Sequence, residues 1–157
     1  MSGQTDNNNV LEHNKQLVSQ FIELTWNQGR FNLAKNLVCR DFKYHASMVN
    51  LTLEYDQAAA IIANVRDAMQ DFEVSVEEIV AEGDKVVTQS SFCGTLTKPM
   101  FGFQPGPNLV TFSAVSFWQI RKGHVRSLST LLDTAEMMRQ MEHEGNDFKI
   151  DVAAVMA

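Results

Sequence analysis

The residues FEVSVEEIVAEGDKVVTQSSFCGTL (72–96) and LVTFSAVSFWQIRKGHVRSLSTLLD (109–133) alternate between apolar and polar side chains. Such alternation is typical of β-strands that bury one face and expose the other. Turns at Glu82-Gly83-Asp84 and Lys122-Gly123 divide the segments, and strands are predicted at 72–81, from Val86 onward, at 109–121 and at 125–132. Glu77-Glu78-Ile79 breaks the alternation as a β-bulge would. These segments predict an antiparallel sheet.

Three helices are predicted before this sheet and one after it. The first follows from helical spacing of apolar residues after Asn9, which has the capping-box relation to Glu12, and it ends near Gly29. The second is predicted at 31–38, the third begins at an Asp56 cap, and the last covers 134–144. An extended segment is expected at 41–48. The sequence thus predicts an α+β fold, a curved antiparallel sheet wrapped by three N-terminal helices and followed by a short C-terminal helix. Such a shape tends to enclose a pocket.

Length and charge narrow the class of protein. The chain has 157 residues, a net charge of -6 and no cluster of Lys and Arg, so one domain is expected and neither nucleic acid nor a membrane is expected as a partner. Cys39 and Cys93 are far apart in apolar surroundings, which favours reduced thiols and a cytoplasmic location. No apolar run approaches the roughly 20 residues that span a bilayer.

The ends of the chain differ from its centre. Residues 1–9 are polar, without a basic start or an apolar run, so we expect a disordered leader. Residues 10–145 form the predicted domain. The tail at 146–157 is apolar in part and is interpreted as an extra strand, an arm on a partner subunit or a frayed end.

A proline-rich loop separates the two central strands. All three prolines fall within residues 98–108, where proline excludes a strand position. Met100, Phe101 and Phe103 in this loop either fill the local core or form a lid over a pocket mouth or a dimer contact.

Few residues offer recognisable chemistry. The chain has neither a phosphate-binding loop nor a G-x-S-x-G nucleophile, its four histidines lack metal-ligand spacing, and no metal or organic cofactor is indicated. His45, in the extended segment beside Tyr44, is a candidate acid or base, although a structural role is an equal alternative. Asp133 ends the last strand and is either catalytic or the N-cap of the following helix.

Several short motifs follow one another in order: ELTWNQG (23–29), Asp41-Phe42 with His45, VAEGDKVV (80–87), Gly94-Thr95 with Gly102, FWQIRKG (117–123), and Asp133. Across residues 11–141 they resemble the SnoaL-like polyketide cyclase family, in the superfamily of nuclear transport factor two, scytalone dehydratase and ketosteroid isomerase. The resemblance implies a cone-shaped, strongly curved sheet closed by three helices around a deep pocket, and a homodimer formed through the outer face of the sheet.

The same resemblance indicates where catalytic residues would fall. The cyclases of this family close a ring with an Asp on the last strand and a His on the preceding strand. Alignment on Gly123 places these positions at Thr130 and Ser116, and neither hydroxyl performs acid/base catalysis near pH 7. The family histidine corresponds to His45 and the aspartate at the end of the last strand to Asp133. From Thr130 and Ser116, strand alternation adds Arg126 and Leu128 on the last strand and Trp118 on the preceding one. Together with Tyr44 beside His45, and with Thr88 and Phe92 on one face of the strand that begins at Val86, these are the candidate ligand-binding residues.

Two classes of function follow from these residues. The first is an enzyme that performs acid/base chemistry, of isomerase, cyclase or dehydratase type, on a small hydrophobic carbonyl compound with His45 as the proton-transfer group. The second is a module without catalysis that binds a small hydrophobic molecule or dimerises. The fold alone does not separate them, because one fold hosts many functions.

Overall fold

A computed structural model describes residues 2–46 and 50–141; the tail predicted at 146–157 lies outside the described residues. Its elements in chain order are α1 (Ser2–Ile22), a π-helical turn (Glu23–Asn27), α2 (Phe31–Ala34), a 3-10 turn (Lys35–Leu37), β1 (Val38–Ala46), β2 (Leu51–Leu53), α3 (Tyr55–Ala68), β3 (Met69–Glu82), β4 (Lys85–Leu96), β5 (Leu109–Arg121), β6 (His124–Leu132) and α4 (Thr134–Met141).

The strands form one open six-stranded sheet in the order β2-β1-β6-β5-β4-β3. The predicted α+β class is confirmed, with one difference. Strand β1 pairs parallel with β6, with Tyr44 opposite Leu128, whereas the other neighbours pair antiparallel. The periodicity of a strand does not encode its direction. Strands β1 and β6 are far apart in the chain, so no hairpin turn fixes their relative orientation.

Bulges curve the sheet. The pairing of β3 with β4 shifts register between Val76 and Glu78, where the sequence predicts a bulge. A second shift on β3 lies between Gln70 and Glu73. The pairing of β5 with β6 also shifts, because Gln119 is opposite Ser127 but Ile120 is opposite Val125. Each extra residue bends its strand and increases its twist, which gives the sheet a concave face.

Two helix starts differ from the prediction. Helix α1 begins at Ser2, so the segment predicted as a disordered leader is helical from Ser2 onward, with exposed side chains at 5–10. The helix extends there through its own backbone hydrogen bonds. Helix α3 is capped by Glu54, whose backbone N–H donates to Gln57 Oε1 at 2.9 Å, rather than by Asp56. Asp56 lies in the first turn and pairs with Lys35.

The helices pack their apolar sides into the concave face of the sheet. Phe21 of α1 meets Trp118 of β5 edge to face, with ring centroids 5.5 Å apart, and also contacts the ring of Tyr55 from α3. Phe92 and Phe112 on neighbouring strands stack at 5.0 Å. This aromatic cluster fixes the spacing between helices and sheet.

The sequence allowed two roles for the proline-rich loop, filling the local core or covering a pocket mouth or dimer contact. Its apolar residues divide between the core and the border of a cavity. Met100 and Phe103 pair through their backbones in both directions and are 2% and 0% exposed, so they fill the local core. Between them, Phe101 takes a left-handed conformation (φ 51) and borders a cavity. A non-glycine residue adopts this conformation at a cost of about 1–2 kcal/mol. The two buried neighbours hold Phe101 in place.

Candidate functional site

Two adjoining cavities lie between the helices and the concave face of the sheet. Each has a volume of about 60 Å³, several times the roughly 10–15 Å³ that one water needs. The residues that border both cavities are Trp26, Tyr44, Ile61, Phe92 and Thr130. We call the cavity that also contacts Ser116 and Trp118 the inner cavity, and the one that contacts Phe101 and Met137 the outer cavity.

The π-helical turn after α1 presents Trp26 to both cavities. Thr25, which is fully buried, donates its hydroxyl to the Phe21 carbonyl at 2.7 Å. Turns of this type widen a helix locally and occur often at functional sites. The indole of Trp26 then packs edge to face on Phe92 at 5.1 Å and against Phe72 at 5.8 Å.

Side chains on either side of Trp26 fix its backbone. Asn27 donates its amide to the Val74 carbonyl at 3.0 Å and accepts from the Val74 N–H at 2.8 Å, so it pairs with β3 as another strand would. Arg66 of α3 donates to the Trp26 carbonyl at 2.5 Å. Gly29, at φ +66, lies against Arg66, and a Cβ at this position would come within 2.9 Å of Arg66 Nε. The wall formed by Trp26 therefore depends on contacts with both α3 and β3.

Three hydroxyls from neighbouring strands form a chain on the opposite wall. Ser116 of β5 and Thr130 of β6 lie opposite each other, with their side-chain oxygens 2.9 Å apart. Tyr44 of β1 hydrogen-bonds to the Thr130 side chain. We call Tyr44, Thr130 and Ser116 the hydroxyl chain. It brings together three residues that the sequence proposes as ligand-binding.

The environment of Tyr44 favours its neutral form. Burial raises the pKa of its phenol above the ordinary value of 10.0, and the hydrogen bond with Thr130 opposes this only in part. Tyr44 keeps some exposed surface, as expected for a side chain that borders both cavities. Because removal from water disfavours the phenolate, Tyr44 stays protonated through the neutral pH range.

Three further predicted residues border the cavities through apolar surface. Phe92 borders both, and Trp118 and Leu128 border the inner one. Trp118 donates its one side-chain N–H, at Nε1, to Thr88 Oγ1 at 2.9 Å. Thr88 is 1% exposed and borders neither cavity, so it acts on the site only through its hydrogen bond with Trp118. Ser90 borders the inner cavity in its place.

The structure does not bring Arg126 or His45 to the cavities. The bulge on β6 lies at Arg126, so Val125 and Leu128 point inward while Arg126 turns to Asp41, with Nη1 donating to the Asp41 carbonyl at 3.0 Å. On β1, Tyr44 takes the inward position, and alternation places His45 on the opposite face. His45 is exposed there, with Nδ1 3.2 Å from Thr52 Oγ1.

Asp133 lies at the start of α4, outside both cavities. Its Oδ1 accepts the Glu136 N–H at 3.0 Å, which is the geometry of an N-cap, and its carboxylate is exposed. The capping alternative proposed from the sequence accounts for this arrangement. The catalytic roles assigned to His45 and Asp133 therefore find no support in the geometry of the cavities.

Helix α4 and the Phe101 turn close the outer cavity. Met137 is fully buried against it. Gln140, one turn further, accepts the Thr111 N–H at 2.7 Å and donates to the Thr111 carbonyl, so it pairs with β5 beyond the end of β6. Sequence reasoning did not assign Met137, Ser90 or Ile61 to the site. Alternation from Phe92 indicates Ser90, whereas no local pattern indicates the other two.

No Asp, Glu, His, Lys or Arg borders either cavity in the described part of the chain. Within residues 2–46 and 50–141 there is also no group of His, Cys, Asp or Glu arranged to hold a metal ion. In the same ranges, no helix is long and apolar enough to cross a membrane.

A single curved sheet covered on its concave face by helices defines a class of α+β proteins. Within that class, this chain belongs to the SnoaL-like polyketide cyclase family, whose model matches residues 16–141. This confirms the resemblance found in the sequence. No protein of curated function matches the chain significantly.

Solved structures share the fold at low sequence identity. A protein from Jannaschia sp. CCS1 assigned as a SnoaL-like polyketide cyclase is 23% identical, with a TM-score of 0.74 over 83% of this chain and 92% of that one. IdmH from Streptomyces antibioticus, assigned as a polyketide cyclase, is 17% identical, with a TM-score of 0.74 over 83% and 99%. An LEH-like epoxide hydrolase from M. tuberculosis is 17% identical, with a TM-score of 0.64 over 83% and 90%. Identities this low establish the fold and leave the activity open.

Proposed function

We propose that this protein binds a small, uncharged, mostly apolar molecule in the two cavities and does so without acid/base catalysis. The observation that carries the proposal is the lining itself. It consists of aromatic and aliphatic side chains and a few hydroxyls, with no group among the described residues that is charged at neutral pH.

The lining selects against charged ligands. A buried charge is tolerated when it is paired with an opposite charge or bound by several hydrogen bonds. The described walls offer no such partner, whereas Phe92, Trp26 and Ile61 offer apolar contact to a ligand in either cavity. Burial of apolar surface contributes about 25 cal/mol per Å², so a small apolar molecule gains affinity from these walls alone.

The residues at the catalytic positions of the family argue against acid/base chemistry. Ser116 and Thr130 stand where the resemblance places the His and Asp of the cyclases, and they contact each other at 2.9 Å. Two aliphatic hydroxyls do not act as a general acid or base near pH 7, because they titrate far outside that range. The catalytic alternative requires His45 to reach the cavities, but β1 directs its side chain to the opposite face. The activities named for the structural neighbours therefore do not transfer to this lining.

Intrinsic fluorescence offers a direct test. Trp26 and Trp118 are the two tryptophans of the chain, and both border the cavities. Naphthalene, an uncharged probe, should change their emission and raise the melting temperature, whereas naphthalene-2-sulfonate should do neither. Naphthalene affinity should stay constant between pH 5 and 8, because no described lining group titrates there.

A cavity-filling variant supplies the control. Ile61→Phe adds volume at a residue that borders both cavities and should abolish the naphthalene response. Val80→Phe adds the same ring to a side chain that is 52% exposed and borders neither cavity, and should leave the response intact. Absence of binding to the wild type, or equal binding by Ile61→Phe, would contradict the proposal.

A further inference from the structure

We propose that the tail at 146–157 packs on an apolar patch on the outer face of its own sheet. This surface lies on the side of the sheet opposite the cavities, so the inference is independent of the binding function proposed above. A second copy of the chain that uses the same face has to displace the tail.

Five apolar side chains meet on the outer face of the sheet. The strand pairings set Val80 opposite Val87 and Val87 opposite Phe117, which gives one row across β3, β4 and β5. In the neighbouring row, Val115 of β5 lies opposite Leu131 of β6. Paired residues share a face of the sheet, and so does every second residue of a strand, so these side chains are contiguous. We call these five residues the outer patch.

The outer patch is exposed in the part of the chain that the structure describes. Val80, Phe117 and Leu131 are 52%, 49% and 55% exposed. Single exposed apolar side chains are ordinary on a protein surface, whereas a contiguous group of them indicates a contact surface. Something that covers the patch is therefore expected.

Helix α4 brings the chain to the border of this face. Strand β6 ends opposite Ala114, so the edge of β5 before that residue is open to other groups. Gln140 occupies this edge through its two hydrogen bonds with the Thr111 backbone. Because α4 covers the outer cavity on the concave side, the chain leaves Met141 where the concave and outer faces meet.

The segment after Met141 has the length to reach the outer patch. Phe117 lies about 20 Å from Thr111 along β5, at about 3.4 Å per residue. Residues 142–147 span about 20 Å when extended, so Phe148 reaches the level of Phe117. The covalent link through α4 also keeps the tail at a high effective concentration beside this patch, which favours it over a segment of another molecule.

The order of residues in the tail suits an apolar surface on one side only. Phe148, Ile150 and Val152 alternate with Lys149 and Asp151. In an extended segment, the three apolar side chains share one side and the two charged ones share the other. The apolar side matches the outer patch, and the charged side can remain in water. The family model ends at residue 141, so the tail lies beyond the part of the chain that the family shares.

Hydrogen–deuterium exchange of the full chain, followed by mass spectrometry, tests the contact. Burial of one apolar side chain favours docking by about tenfold or more. Amides of the tail should therefore exchange at least about tenfold more slowly than those of a synthetic peptide of residues 146–157. Phe117→Lys places a charge in the outer patch and should remove this protection. Leu109→Lys is the matched control, because Leu109 is 60% exposed on the same face of β5 but lies on the far side of Thr111 from the patch.

The tail supplies a second matched pair of variants. Ile150→Asp places a charge on the apolar side and should restore the exchange rate of the corresponding synthetic peptide. Lys149→Asp introduces the same carboxylate on the other side and should leave the protection in place.

Each outcome decides the proposal. Protection of the tail that is lost in Phe117→Lys and Ile150→Asp, and that persists or increases on dilution, supports it. Rapid exchange of the wild-type tail overturns it, and so does protection that survives both variants. Protection that disappears on dilution assigns the contact to a second copy and overturns the assignment to the chain's own sheet. None of these results depends on naphthalene binding, so failure here leaves the proposed function untouched.

Discussion

Gly29→Ala should destabilise the protein through two separable effects. Gly29 has a φ of +66, a conformation that costs a residue with a side chain about 1–2 kcal/mol. The new Cβ would also lie 2.9 Å from Arg66 Nε, closer than real contacts allow, so Arg66 has to move. Its hydrogen bond to the Trp26 carbonyl is then weakened. A hydrogen bond from a charged group contributes about 1.5–3 kcal/mol to the free energy of unfolding. Because Arg66 is only half-buried, its bond contributes less, about 1–2 kcal/mol.

The structure supplies a matched control for the conformational part. Gly83 has a φ of +58, and a Cβ there would meet no atom within 4 Å. Gly83→Ala should therefore cost about 1–2 kcal/mol and Gly29→Ala about 2–4 kcal/mol in free energy of unfolding, measured by urea denaturation. In an Arg66→Ala background the added cost at Gly29 should disappear, which a double-mutant cycle measures directly.

If Gly29→Ala and Gly83→Ala destabilise the protein equally, then Gly29 does not affect the hydrogen bond from Arg66 to the Trp26 carbonyl, and the reasoning is refuted. The same comparison has a functional readout. Displacement of Arg66 releases the Trp26 backbone, so Gly29→Ala should also change the response of tryptophan fluorescence to naphthalene. Gly83→Ala lies in the β3–β4 turn and should leave that response unchanged.

Four further predictions follow from the contacts of the site and the sheet. The pKa of Tyr55 is raised to about 12 and that of Tyr44 is also raised, both mainly by burial. Above pH 10 the unfolded chain therefore binds fewer protons than the folded protein, so the free energy of unfolding should fall as pH rises from 10 toward 12. The expected loss is about 1–2 kcal/mol for Tyr55 after allowance for its partial solvation. Ultraviolet titration that shows both tyrosines ionising near pH 10 would contradict this. Asn27→Ala removes both bonds to the β3 backbone and should cost about 1–3 kcal/mol in urea denaturation, whereas Asn27→Asp, which keeps one acceptor, should cost less. Gln140→Ala removes the bonds that hold α4 to β5, so ligand release measured by stopped flow should become faster, with little effect on contacts in the inner cavity. An unchanged release rate would argue against closure of the outer cavity by α4. The homodimer implied by the family would use the outer face of the sheet, where Phe117 is 49% exposed, and Phe117→Lys should then reduce the mass found by light scattering to that of a monomer.

Local patterns in the sequence predicted the strands well because alternation is a local property. Strand β5 begins and ends where predicted, and the bulge near Glu78 and both hairpin turns are present. The order of short motifs was also sufficient to identify the family, since spacing along the chain is set by the lengths of the elements. The starts of α1 and α3 were less predictable. Asn9 and Asp56 are residue types favoured at an N-cap, yet α1 extends back to Ser2 and Glu54 caps α3 through a reciprocal pair with Gln57.

Site residues were predictable only where the alternation of inward and outward side chains along a strand was unbroken. Alternation placed Ser116 and Trp118 on one inward face of β5 and Thr130 on the inward face of β6, and all three border the inner cavity. It failed at Arg126, because a one-residue bulge reverses the phase and a bulge on β6 leaves no local signal. It also could not choose between Tyr44 and His45, which are adjacent and so must face opposite sides of β1.

The sequence by itself determined the α+β class through its periodicity and the family through the order of its short motifs, and alignment to that family puts Thr130 and Ser116 at the positions of the cyclase Asp and His. Only the tertiary structure decided that β1 runs parallel to β6, that Tyr44 meets Thr130, and that Thr130 meets Ser116. It also placed Trp26, Ile61 and Met137 around the cavities. The physical reason is that these contacts join residues far apart in the chain, and their geometry depends on how helices pack on a bent sheet rather than on any local preference of the backbone.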